Sequence, residues 1–202
     1  KLKMKILHIN FSKEGGAAIG VKRFNDALIS KGVKSEIFYF TEYIKKNSFE
    51  SFLTRIRWKL QVILKKICLK FLTKLNNRET HSFNLFNVLD LKNLINKKKP
   101  DILHLHWIGN EMLSVKNLSE INIPIVWTFH DMWPFCGGEH FTYNKRFENG
   151  YQKNLRSSKE KGFDIDKYLW EKKYKYLKNK KINIICPSNW MRNQLIKDKI
   201  YK

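Results

Sequence analysis

Five short apolar runs, each closing on glycine-, histidine-, tryptophan- or serine-containing polar sequence or on an aromatic, recur along this chain with helix-spaced segments between them. They are KILHIN (5–10), VKSEIFYF (33–40), PDILHLHW (100–107), PIVWTFH (124–130) and INIICPS (182–188). Runs of this kind suit strands covered on both faces, and strands alternating with helices imply a parallel sheet. The first two are joined by Gly15-Gly16 and by a stretch in which Ala18, Val21, Phe24, Ala27 and Leu28 recur at helical spacing, with Gly32 at the expected C-terminal cap. Strand, glycine turn, helix and strand make a βαβ unit. Further helices are expected over 88–96, 112–118, 164–177 and from Trp190 to Ile196. The fold class that follows is α/β, a Rossmann-like doubly wound parallel sheet.

Composition narrows the class of protein. The chain has 202 residues, of which 43% are hydrophobic and 14% aromatic, enough for a packed core and too many for a disordered chain. Forty Lys and Arg against 18 Asp and Glu give a net charge of +22, which favours polyanions such as phosphorylated ligands, anionic lipid or nucleic acid. Cys68, Cys136 and Cys186 show no CxxC spacing, so reduced thiols are expected rather than a disulfide frame or a zinc site. No apolar stretch approaches the ~20 residues of a membrane span.

In a doubly wound sheet, ligands bind beyond the C-terminal ends of the strands. Several ends here are rich in chemistry: Asn10 to Ala17, His104 to Trp107, His130-Asp131 and Ser188. Gly15-Gly16 ahead of a helix lets backbone N–H groups approach a phosphate, or is simply a turn. His104 and His106 lie two apart and share a strand face. A metal reading would recruit His130, Asp131 or His140, but no helical HExxH or cysteine spacing supports it; otherwise one imidazole is packed and the other borders the site. His130 can donate to a sugar hydroxyl or move a proton near neutral pH, or can cap the next turn. Trp107 and Trp133 can stack on a sugar or pack in the core. Glu139-His140 can meet an acceptor hydroxyl or hold the glycine loop together.

The segment 49–75 is different. Phe49, Phe52, Leu53, Ile56, Leu60, Ile63, Leu64, Ile67, Phe71 and Leu75 line one helical face, and Arg57, Lys59, Lys65, Lys66, Lys70 and Lys74 flank it. It reads as one or two basic amphipathic helices, whose apolar face either enters an anionic membrane surface or packs on the sheet.

The sequences HINFSKEGGAAIGVKRF, PDILHLHWI, PIVWTFHDMWPFCGGEHFT and CPSNWM, in this order, resemble the N-terminal, acceptor-side domain of bacterial family 4 glycosyltransferases. These are retaining enzymes of the two-domain GT-B architecture that build lipopolysaccharide, capsule and other surface polysaccharides. The resemblance covers almost the whole chain, and HDMWPFCGGEH is its most specific part. It implies a single Rossmann-like domain over 4–202 and a nucleotide-sugar donor with a glycan acceptor, lipid-linked in this reading. Carried over by position, it places Gly15, Gly16 and Ala17 near the donor phosphates, His130 at the transferred sugar as the catalytic residue, and His106, Asp131, Glu139 and His140 on the acceptor side. Arg57, Lys59, Lys66 and Lys70 would contact the membrane at the inner face of the cell. No cofactor and no metal is implied, because basic side chains and helix ends neutralise the leaving diphosphate. The family's C-terminal donor-binding domain, with its paired glutamates, is not in this sequence; Glu42 and Glu50 share that spacing but lie in the wrong half. The chain alone is therefore expected to be inactive or weakly active, and to work with a donor-binding half supplied elsewhere, including by a separate chain. The competing class is a non-catalytic basic binding or membrane-recruitment subunit. Specific nucleic-acid binding is not expected, since no RRM, KH, helix-turn-helix or zinc pattern appears.

Overall fold

The computed structural model describes residues 4–75 and 80–201. The five apolar runs form β1 (Lys5–Asn10), β2 (Lys34–Tyr39), β4 (Ile102–Leu105), β5 (Ile125–Thr128) and β7 (Asn183–Ile185). They make one parallel sheet in the order β2-β1-β4-β5-β7. The chain starts in β1, adds β2 on one side and then β4 on the other, so the strand order reverses between β1 and β4. That is the topological switch point at which open α/β sheets bind ligands. The α/β fold expected from the sequence is the fold observed.

The sheet has two unlike faces. Leu7, Ile9, Leu103, Leu105 and Trp127 point to one side and are fully or almost fully buried in the main core with Val88, Leu91, Met112 and Phe129. The opposite face carries His8, His104, His106 and Thr128, also buried, under α1 (Gly16–Ser30). Alternation along the strand puts these polar side chains on one face together.

Local chemistry explains where the other elements begin. α2 (Phe40–Tyr43) continues directly from β2. α3 (Phe49–Ile67) opens on a capping box between Ser48 and Ser51 and runs into a π-helical turn over Cys68–Leu72. β3 (Thr73–Lys74) pairs antiparallel with β6 (Lys161–Gly162), a two-stranded ribbon that the apolar pattern does not announce. α4 (Leu91–Lys98) starts later than the periodicity suggests, because the Asp90 side chain accepts from the Asn93 N–H and fixes the first turn, while Val88 and Leu89 pack ahead of it. In the same way Ser114 sets the start of α5 (Val115–Ser119), leaving Met112 and Leu113 buried in the preceding loop. α6 (Ile165–Leu177) is capped by Asp164 and α7 (Asn189–Leu195) by Ser188.

Candidate active site

The ends of β1, β4 and β5 open into one cleft of about 540 Å³, lined by Asn10, Phe11, Ser12, Glu14, Gly15, Gly16, Ala17, Trp107, His130 and Asp131. Its size is in the range of small-molecule sites. On one lip, Gly15 precedes α1 with φ 89°, a left-handed conformation that L side chains rarely adopt. No side chain caps the first turn of α1, and a Cβ on Gly15 or Gly16 would meet only open space. The amide end of α1 therefore faces the cleft, the electrostatic setting that favours an anion.

Asn10 ties the two central strand ends together. Its Oδ1 accepts from the Trp107 backbone N–H at 3.0 Å and its Nδ2 donates to the Ser12 carbonyl at 2.8 Å. This holds the Trp107 ring against Phe11, edge to face at 5.4 Å. Trp107 thus borders the cleft, whereas Trp133 is buried with its Nε1–H on the Ser82 carbonyl. Of the two tryptophans, the one that can stack on a ligand is Trp107.

His130 and Asp131 form the other lip. His130 is partly exposed, and its Nε2 lies 3.1 Å from His106 Nδ1. Burial lowers its pKa from the ordinary imidazole value, against the opposing pull of Asp131, so the ring is neutral at pH 7. Asp131 Oδ2 accepts from Trp107 Nε1 and from His140 Nδ1, each at 2.6 Å, and its Oδ1 takes the Trp133 N–H at 3.1 Å. The carboxylate is both a cleft residue and the knot that fixes the loop.

The remaining residues expected on the acceptor side do not reach the cleft surface. His140 is buried, with Nδ1 on Asp131 and Nε2 at 2.6 Å from Ser82 Oγ, so both ring nitrogens are engaged. Glu139 is enclosed; its Oε1 accepts from the Tyr151 hydroxyl, which in turn accepts from the Gly137 N–H at 2.7 Å. Burial, with Asp166 nearby, pushes the Glu139 carboxyl up to about 8, so it holds its proton at neutral pH. Gly137 packs so closely on α6 that a Cβ there would sit 2.6 Å from Asp166 Cβ. The sequence after Asp131 is therefore dense because it builds a rigid loop behind the lip. His106 too lies beneath the surface, 2% exposed, in contact with His130 rather than with the cleft.

Sequence reading missed several residues that place this site. His8 and Ser35 stand in line with His106, Ser82 orients His140, and Lys173 braces the loop from behind. The Lys173 ammonium donates to the carbonyls of Trp133, Cys136 (3.0 Å) and Gly137 (2.5 Å), and burial lowers its pKa to about 7. The basic run in α6 gave no sign that one of its lysines points inward. Among the described residues, two groups have donor atoms that lie within 4.8 Å of one another and could converge on a metal: His8, His104 and His106, and His81, Glu139 and Asp166. In the first, hydrogen bonds to His106 and Thr128 already use Nδ1 of His8 and Nε2 of His104.

Most of the apolar stripe of segment 49–75 points outward, while Leu53 is partly covered and Leu75 packs against the small core cluster of Phe83, Ile165 and Leu169. Ser51 and Thr54 are buried, Trp58 Nε1 donates to the Asn110 carbonyl at 2.8 Å, and Lys65 meets buried Glu111 at 3.1 Å. These residues attach α3 beside the cleft, where Trp58 packs near Phe11 and Phe40. Phe49, Phe52, Ile56, Leu60, Ile63, Leu64, Ile67 and Phe71 are exposed, by 40 to 76%, as are Arg57, Lys59, Lys66 and Lys70. The alternative in which the whole stripe packs on the sheet is not what is seen: the inward face is mainly the one with Ser51, Thr54, Trp58 and Lys65.

A parallel doubly wound sheet with an open cleft at its switch point, an uncapped helix on one lip and imidazole and carboxylate on the other, is a Rossmann-like unit consistent with one half of a GT-B enzyme. The chain belongs to a glycosyltransferase family: the sequence model described as Glycosyltransferase Family 4 matches residues 14–201. No curated protein and no solved structure matches it.

Proposed function

We propose that this chain is the N-terminal, acceptor-side half of a bacterial retaining glycosyltransferase that transfers a hexose from a nucleotide-sugar to a lipid-linked glycan in surface-polysaccharide synthesis. The observation that carries this reading is the cleft that brings Gly15, Gly16 and Ala17 face to face with His130 and Asp131 at the switch point of a family 4 chain. The amide end of α1 would take part of the charge on the donor diphosphate. The departing phosphate would deprotonate the acceptor on the face it leaves, giving retention. His130 would support the sugar through a hydroxyl as positive charge develops, a contact of a kind worth about 2–4 kcal/mol in a transition state. No metal or other cofactor has a part in this scheme. A second, donor-binding half completes the reaction, from the same polypeptide or another chain.

The reading predicts that His130→Ala, in an enzyme complete with its donor-binding half, lowers turnover by about 10²-fold or more with unchanged circular dichroism. Activity within a few-fold of the parent would remove His130 from the chemistry.

Docking at the inner face of the cell membrane is supported by the outward stripe of α3 and its flanking cations. A contiguous exposed apolar surface of this extent marks an interaction site, and Arg57, Lys59, Lys66 and Lys70 complement anionic headgroups. Flotation with vesicles containing anionic phosphatidylglycerol should carry the chain upward at low salt, and purely zwitterionic vesicles should carry much less. Absence from the anionic float would argue instead that the stripe meets another polypeptide.

A further inference from the structure

The buried polar face under α1 holds a continuous line of hydrogen bonds. Ser35 Oγ lies 3.0 Å from His8 Nε2, His8 Nδ1 lies 3.1 Å from His106 Nε2, and His106 Nδ1 lies 3.1 Å from His130 Nε2. The line runs from β2 through β1 and the residue just past β4 to His130, two residues past β5, three strand spacings of about 4.8 Å, or about 14 Å in all. His8 and His106 are 0 and 2% exposed, while Ser35 and His130 at the two ends are partly exposed. His130 therefore meets the cleft at one end, and a hydroxyl on the edge strand closes the other.

A neutral imidazole has one N–H and one bare nitrogen. Each interior link needs one donor and one acceptor, so the choice made at one ring dictates the choice at the next. If His8 donates from Nε2 to Ser35, then His106 must donate from Nε2 to His8, and His130 from Nε2 to His106. His130 Nδ1 is then bare. If Ser35 donates to His8, every proton in the line reverses, and His130 carries its N–H on Nδ1. Both patterns require the same tautomer at all three histidines. Burial lowers the pKa of His8 to about 4 and that of His106 further still, which keeps the interior rings neutral. The surroundings add little competition: His104 is turned to Thr128 Oγ1 at 2.8 Å, the Phe24 edge covers His104 and His106, and Asp131 is committed to Trp107, Trp133 and His140.

We propose that Ser35, His8 and His106 act as positioning residues: a relay across the sheet that fixes whether His130 presents a proton donor or a proton acceptor to the cleft. The functional consequence rests on the role given to His130 above, whereas the relay itself can be tested without activity.

The chain has six histidines, so 15N-histidine labelling gives a tractable long-range 1H–15N spectrum of the 202-residue protein. At pH 7.5, His8, His106 and His130 should show one common tautomer and no imidazolium. Ser35→Ala, a conservative change at a partly exposed position, should move the ring-nitrogen signals of His106 and His130 as well as those of His8. His140, held by Ser82 and Asp131, should stay in place and report that the fold is intact. His106→Asn should uncouple the ends, so that adding Ser35→Ala to it no longer moves His130. Mixed tautomers among the three rings, or an effect of Ser35→Ala confined to His8, would overturn the relay. Unchanged turnover in the His130→Ala enzyme would sink the catalytic reading while leaving a confirmed relay standing, so the two failures are distinguishable.

Discussion

His130 owes its position to a glycine as much as to its own strand. A Cβ on Gly20 would sit 3.2 Å from His130 Cε1, a separation tight enough to press on the ring. In Gly20→Ala the helix gains about 1 kcal/mol in propensity, which offsets the crowding, so the melting temperature should change little. The His130 ring signals and turnover should both change, and a silent Gly20→Ala in both would show that His130 tolerates displacement. Lys173 makes the opposite case, a residue whose loss is structural. Lys173→Met would leave three buried carbonyls without their donor and should cost about 2–4 kcal/mol, read as a lower denaturant midpoint at unchanged m-value. At this scale the strand ends read from the sequence supply Gly15, Trp107, His130 and Asp131, which line one cleft in the structure. The sequence could not separate Asp131, on the lip, from Glu139 and His140 behind it. All three are polar residues in one glycine-containing loop, and only the folding of that loop onto α6 decides which are covered.

Among the elements, α3 shows how periodicity reveals an amphipathic helix without saying which face turns inward. Burial of apolar area ordinarily decides this, and here the inward face instead uses Trp58, a buried ion pair and two small hydroxyl residues. A variant with Phe52, Ile56, Leu60 and Ile63 changed to Ser or Gln should keep its melting temperature nearly unchanged, because exposed positions contribute within about ±0.5 kcal/mol each. It should lose vesicle binding. Trp58→Ala should do the reverse in stability, costing about 3 kcal/mol through lost packing. A large stability loss in the quadruple variant would mean that the stripe is part of the core.

For the whole molecule, the histidine face predicts an acid-sensitive fold. His8 and His104 are lowered to about 4 and about 3, and His106 and His130 are also lowered, all mainly by burial. The unfolded chain takes up protons at these rings near pH 6.5 and the folded chain does not, so stability should fall as pH drops from about 6.5 toward 4. Glu139 acts in the other sense, since its folded pKa is raised to about 8 and its contribution is lost as pH rises toward that value. One carboxyl is outweighed by four imidazoles on the acid side, so the melting temperature measured from pH 7 to 5 should decline; a rise would contradict the burial of this face. The sequence by itself determined the α/β class, the parallel sheet, the glycine turn and the strand ends that carry the chemistry, because apolar periodicity and turn residues are local signals. Only the tertiary structure decided that His8, His106 and His130 form one line, that Lys173 points inward and that the stripe of α3 points out. Those outcomes depend on which strands become neighbours and which helix covers each face, and contacts between residues as much as 98 positions apart leave no trace in local spacing.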